Sequence, residues 1–397
     1  MPLYTLHRAV EIIGTLIFLL ALLTASIVEF VLRPKPTNMS HYNNTCLGIT
    51  SQVTPDPFIT YARGKFYFMF TAGNRVPLWE ADSITDFWEE GRFKKGPVWT
   101  PPPDTNHSAH LWAPELHALR GRWYVYVAAA SHHEGNRSHR MYVLGGPPDS
   151  QDPHAGPWEF LGPIRNMNQR QWAIDGTVLT IDGTLYFAYS GWPLDRPWDD
   201  YDERTQQLFI MRLQDPVTAA SPPVMISHPH EPWERSGDAG INEGPQWLAS
   251  QDGGRTWRGI VYSCAGSWTK DYKMNTLQFL GGDPLQPSSW KKSPRPLLQN
   301  AGHDKGPFGP GHGNFVHIGD ETMAVFHATD MPNDGHGNRK CRMQRVIFNE
   351  DGPFMNYTVG PYTRDLSKFS DGHNVGKHES KGSKLRGLLH SVASKLE

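Results

Sequence analysis

Five ionisable residues sit at comparable places along this 397-residue chain. Asp56 lies in TPDPFI, Glu115 in WAPEL, Asp175 in AIDGTV, Glu243 in NEGPQW and His312 in GPGHGNFV. Each stands 6 to 11 residues before a glycine set to tip a hairpin: Gly64, Gly121, Gly183, Gly254 and Gly319. Four carboxylates and one imidazole gathered in one place could perform general acid–base chemistry, one carboxyl donating a proton while another activates water. Crowded carboxylates do not ionise alike. The second charge is disfavoured, so one group keeps its proton near neutral pH.

Elements of a particular kind must bring these residues together. After the glycines come alternating runs of aromatic and aliphatic residues, as in KFYFMF, RWYVYV, TLYFAY and MAVFHA, with SQDGGRTWRGIVYSC as a longer version. Alternation with period two reads as strand. The glycines are 57 to 71 residues apart, room for a four-stranded sheet with long loops in each repeat. This predicts an all-β chain folded as a five-bladed β-propeller, whose first strands line a central axis. The five strand-opening residues then meet at one end of that axis. Blade order places Glu243 beside Asp175 and Asp56 across from Glu243. The expectation is a Glu243 whose proton is held by its neighbour Asp175, and an isolated, ionised Asp56. Glu243 would act as general acid and Asp56 as general base, with a wide gap that favours inversion. Ser250 to Trp257 also matches the S-x-D-x-G-x-T-W turn of several propeller families.

Composition narrows the class. The 38 Lys+Arg against 40 Asp+Glu argue against a nucleic-acid partner. The 38 Gly and 33 Pro suit many turns. Fourteen Trp can supply flat faces for sugar rings. Trp112, Trp192 and Trp268, beside the motifs, are expected to face substrate together with Glu115 and His312. Ile12 to Val28 is 17 residues without charge, between the core of a signal peptide and a membrane span. Residues 1–33 therefore read as a signal peptide or signal anchor, with membrane anchoring through residues 9–32 in the second case. A polar linker over 34–50, a catalytic propeller over 51–360 and a polar tail over 361–397 with a short helix complete the order. Both readings of the first segment route the chain to the secretory pathway, extracellular or membrane-anchored. Sequons at Asn38, Asn43, Asn106, Asn136 and Asn356 agree with this. Cys46 and Cys341 could bridge the chain ends, whereas Cys264 lies in an apolar strand. HExxH and CxxC zinc patterns are absent.

Taken together, TPDPFI, HLWAPEL, AIDGTVL, NEGPQWL and GPGHGNFV resemble glycoside hydrolase family 43, five-bladed propeller hydrolases of arabinose- and xylose-containing polysaccharides. The resemblance runs over roughly residues 50–350. It implies that Asp56 is the base, that Asp175 tunes pKa and orients substrate, and that Glu243 is the acid. YSCAGSW, HRMYVLGG and CRMQRVIF are similar to the family's fungal α-L-arabinofuranosidases. The implied substrate is a terminal α-L-arabinofuranosyl unit on arabinan or another arabinose-bearing chain. By the same resemblance His312 is a candidate to hold a water or a structural calcium ion, and no cofactor is required. β-Xylosidase or endo-arabinanase activity on the same fold, and a non-catalytic carbohydrate-binding propeller, are the alternatives. A sialidase is disfavoured, because only one such turn and no clear arginine triad are found.

Overall fold

The hairpin glycines all adopt the left-handed backbone that their spacing anticipates. Gly64, Gly121, Gly183, Gly254 and Gly319 have φ between 61° and 81°, which a residue with a Cβ reaches only at a cost. The computed structural model describes residues 42–194, 204–302 and 305–370. The expected signal or anchor segment, most of the expected linker and the end of the expected tail lie outside the described residues.

Each glycine joins the first two strands of an antiparallel meander. The first sheet is Phe58–Ala62, Lys65–Met69, Val76–Ala81 and Lys94–Trp99. The second is Ala109–Leu119, Arg122–Ala130, Arg140–Pro148 and Glu159–Pro163. Ala173–Ile181, Thr184–Gly191, Thr205–Asp215 and Val224–Ser227 build the third. Ala239–Ala249, Arg258–Cys264, Lys273–Phe279 and Trp290–Lys292 build the fourth. The fifth takes Phe308–Ile318, Glu321–Thr329 and Lys340–Asn349 from late in the chain. Its next strand, Cys46–Gly48, comes from early in the chain and pairs antiparallel with Leu47 opposite Met343. The fold is all-β, and among the described residues no helix is long and apolar enough to cross a membrane.

Packing follows the same cyclic order. Each first strand touches the first strand of the next sheet, and that of the fifth touches that of the first. Apolar side chains fill the spaces between consecutive sheets. Phe68 and Trp79 of the first sheet meet Val316, Met323 and Met343 of the fifth. Tyr67 and Leu78 meet Trp123 and Val125 of the second. Tyr126 meets Phe187 and Tyr189, Ala188 meets Ile260 and Tyr262, and Val261 and Met274 meet Phe326. Burying each large apolar side chain contributes ~1.5–3 kcal/mol, which favours matched faces on neighbouring sheets.

Two expected boundaries differ. Residues 46–48, assigned to a linker, form a strand in which Leu47 is wholly buried. Residues 362–363, assigned to the tail, pair in parallel with that strand, and the helix Leu366–Ser370 follows. Phe369 of this helix is buried against the first and fifth sheets. The fifth sheet would otherwise present an open edge, which these segments cover. Cys46 and Cys341 do not form a bridge: Cys46, Cys264 and Cys341 are free and buried. Burial pushes the Cys46 thiol up to about 12.

Candidate active site

The backbone is irregular where the ionisable residues lie. Asp56, Asp175 and His312 have φ of 54°, 55° and 51°, values that non-glycine residues seldom adopt. The pairing register shifts between Ile174 and Thr177, between Glu243 and Gln246, and twice between Phe308 and Asn314. Such bulges turn a side chain out of strict alternation. Gly244, with φ of 57°, follows Glu243, and a Cβ there would stand 3.3 Å from the His312 ring. Glycine at this position lets strands of two sheets approach.

The result is a buried ring of charges. Asp56 Oδ1 lies 3.1 Å from Arg339 Nη1, 3.3 Å from His327 Nδ1 and 3.5 Å from His312 Nδ1. His312 Nδ1 is also 4.0 Å from Asp175 Oδ2. That same Asp175 oxygen accepts the Gly244 N–H at 3.1 Å, so Asp175 sits against the strand of Glu243. Glu243 Oε1 accepts the Tyr272 hydroxyl at 2.8 Å. Tyr272 in turn stacks on His327, centroids 5.5 Å apart and planes at 10°. Glu243 and Asp56 are therefore linked through one tyrosine–histidine stack.

Burial and charge drive the two carboxyls in opposite directions. Burial alone would push the Asp56 pKa up, but Arg339, His312 and His327 outweigh it and hold Asp56 well below the usual carboxylate range. Asp56 is thus not isolated, as the blade-order argument supposed, and its ionised form depends on these partners. Glu243 is raised to about 7, chiefly by burial, with the charge of Asp56 adding and Tyr272 and Arg339 opposing. Burial, rather than Asp175 next door, is the main cause. Asp175 is itself raised well above its ordinary value, first by burial and then by Glu243 and Asp56. Burial lowers the pKa of His312 and takes His327 down to about 4, while Asp56 opposes both shifts.

The remaining expected residues divide. Glu115 is buried in the second sheet, but its oxygens are bonded to His117 Nε2 at 2.8 Å and to Gln246 Nε2, rather than presented to a substrate. Trp192 is buried and stacks on Trp172 at 4.9 Å and 6°, a core pair in place of a sugar platform. Trp112 is half-buried on the second sheet and stacks on His139 at 3.9 Å. Trp268 is 42% exposed, with its ring 5.9 Å from that of His336. Arg339, His327 and Tyr272 escaped sequence reasoning. The histidine in the apolar run AVFHAT was the one available signal. Among the described residues no group of three His, Cys, Asp or Glu side chains is placed to hold a metal. The Arg339 guanidinium beside Asp56 further opposes a cation bound directly at His312, Asp56 and Asp175.

A profile described as "Glycosyl hydrolases family 43" matches residues 48–354. The chain belongs to this family. It is 31% identical over 310 residues to the "Extracellular exo-alpha-(1->5)-L-arabinofuranosidase" of Streptomyces avermitilis, covering 75% of this chain and 60% of that protein. A protein of the same description from Streptomyces chartreusis is 31% identical over 286 residues, 69% of this chain and 79% of its own length. The "Alpha-L-arabinofuranosidase 43" of Humicola insolens is 31% identical over 317 residues, 75% of this chain and 60% of the relative. This chain thus spans about three-fifths of two of these curated relatives. A crystal structure of an α-L-arabinofuranosidase from Lactobacillus brevis aligns with a TM-score of 0.67 at 26% identity. That alignment covers 78% of this chain and 95% of that one.

Proposed function

We propose that this family member is an exo-acting α-L-arabinofuranosidase that works with inversion, and that its five sheets are the blades of a five-bladed propeller. The observation that carries the reading is the opposed tuning of two carboxyls within one buried ring: Asp56 well below its ordinary pKa, Glu243 raised to about 7. Protonated Glu243 gives its proton to the glycosidic oxygen as the bond to the anomeric carbon breaks. Ionised Asp56 takes a proton from water attacking that carbon on the opposite face. Arabinose leaves with its anomeric configuration inverted. The scheme calls on no cofactor. Asp175 is a candidate to bind sugar hydroxyls and to orient the substrate, and Trp112 and Trp268 offer aromatic faces to the substrate.

The substrate class rests on the relatives, which are named for arabinofuranosyl hydrolysis. An extracellular site of action rests on the two Streptomyces proteins described as extracellular. It agrees with a secretory role for residues 1–33. The test is a comparison of 4-nitrophenyl α-L-arabinofuranoside, 4-nitrophenyl β-D-xyloside and linear arabinan. Proton NMR of the first product is read in the same experiment. The expected result is turnover of the arabinofuranoside with β-arabinose appearing first. Preference for the xyloside, retention of configuration, or glycan binding without hydrolysis would each overturn the reading.

A further inference from the structure

Beyond the ring, the second sheet carries a cavity of about 390 Å³ lined by Asn106, His107, Glu134, Arg140, Tyr142 and Phe160, among others. Asn106 and His107 precede the sheet's first strand, and Glu134 and Arg140 flank the start of its third. These two strands run in the same direction, each being antiparallel to the strand between them. Their starts therefore lie at one end of the sheet, and the cavity lies at that end.

The lining combines two kinds of group. His107 stacks on Phe160 at 4.2 Å and 20°, and Phe160 stacks on Trp99 at 5.5 Å and 5°. Tyr142 closes against both His107 and Phe160, at 5.3 and 5.7 Å. Around these rings stand the Asn106 and Gln169 amides, the Glu134 carboxylate and the Arg140 guanidinium. An anion would meet Glu134 and a cation would meet Arg140. A neutral polyol with one apolar face suits both the rings and the mixed donors and acceptors. A packed path also leads from the cavity to Trp112 through the buried His139. Arg140 Nη1 donates to the His139 carbonyl at 2.7 Å, and the His139 ring stacks on half-buried Trp112.

We propose that this cavity is a subsite, separate from the charged ring, that holds a sugar unit of a pentose-bearing polysaccharide. The proposal rests on the reading of the chain as a carbohydrate hydrolase, and its test separates the two. His107→Ala and Glu134→Ala, singly and together in the full chain, are compared with wild type on arabinobiose and on linear arabinan. Migration through native gels with and without embedded arabinan is measured in parallel, which needs no catalysis. The double variant should show a KM for arabinan raised about tenfold, the loss of ~1.4 kcal/mol of binding. Its arabinobiose turnover should stay within about twofold of wild type on the same scale, and its retardation by arabinan should weaken. Equal losses on both substrates, or unchanged KM and retardation, would overturn the subsite. An Asn106 glycan found by mass spectrometry together with unchanged arabinan retardation would also overturn it, assigning the cavity to the chain's own glycan. A wild type that is retarded but hydrolyses neither substrate, with a variant that is not retarded, would sink the catalytic reading and leave the subsite standing.

Discussion

The strand Ala239–Ala249 carries Glu243 near its middle and runs at its end into the turn Ser250–Trp257, and the two places treat a carboxyl in opposite ways. Glu243 is buried, accepts one hydrogen bond from Tyr272 and is raised to about 7. Asp252 accepts the Ser250 and Thr256 hydroxyls, both at 2.6 Å, and the N–H groups of Arg255 and Thr256 at 2.9 and 3.0 Å. These bonds outweigh its partial burial and hold it at about 2. The turn gains stability from a charged carboxylate, whereas the ring gives up stability to keep a carboxyl ready to lose its proton. The backbone is left-handed at both places: the hairpin ends pair a glycine with Arg63, Arg120 or Asp182, and the ring has Asp56, Asp175 and His312. The contrast between the two carboxyls is one of solvation and partners: the ring carboxyl is buried and poorly bonded, the turn carboxylate is held by four donors.

The sharpest way to break this contrast is to neutralise the ring. Glu243→Gln and Asp56→Asn should each lower turnover by ~10²- to 10⁴-fold, the usual worth of one acid or base. Glu243→Gln should also stabilise the fold. A carboxyl raised to about 7 in the folded chain, from an ordinary 4.5, favours folding at low pH. That contribution is lost as pH rises through this window. At pH 8 the charged form then disfavours folding by about 3 kcal/mol, which the amide removes. Thermal unfolding at pH 8 should show a higher Tm for Glu243→Gln than for wild type, with the gap closing toward pH 4. A variant that keeps its turnover, or is less stable at pH 8, would place Glu243 outside the proposed role.

A smaller effect separates the partners of each carboxyl. Tyr272→Phe removes a bond that holds Glu243 down, so the alkaline limb of the kcat/KM profile should move to higher pH. Arg339→Ala removes the leading charge that keeps Asp56 ionised, so the acidic limb should also move to higher pH. The base is then lost sooner as pH falls. An alkaline limb that stays in place for Tyr272→Phe would mean that the stack of Tyr272 on His327 matters more than its bond to Glu243.

Asp56, Asp175, Glu243 and His312 were legible because each opens a repeated strand, and a repeat of known phase fixes which end of the sheet a residue occupies. Glu115 shares that phase but turns to His117 and Gln246, pairings fixed by a neighbour and by a distant strand that spacing does not reveal. Arg339, His327 and Tyr272 reach the ring from the fourth and fifth sheets at other phases, so no periodicity marks them. Trp192 misled for a related reason. A tryptophan at a strand end can face a sugar or another tryptophan, and only the fold brings Trp172 across to it. The chain's early strand at 46–48 was missed because three residues are too few to show alternation.

The smallest expected effect lies at the turn. Asp252 is only partly buried, so solvent screens its charge and its depressed pKa is worth about 1 kcal/mol. A carboxylate held at about 2, below an ordinary 3.8, contributes stability that is present above pH 4 and lost as pH falls through 2. Asp252→Asn should therefore lower the urea midpoint at pH 7, while the difference from wild type narrows at pH 2.5. Arabinofuranoside turnover should be unchanged, since the turn lies beyond the end of the strand and its side chains make no contact with Glu243. A loss of activity without a loss of stability would show that the two places on this strand are coupled, and that the ring's geometry depends on how firmly the turn is tied.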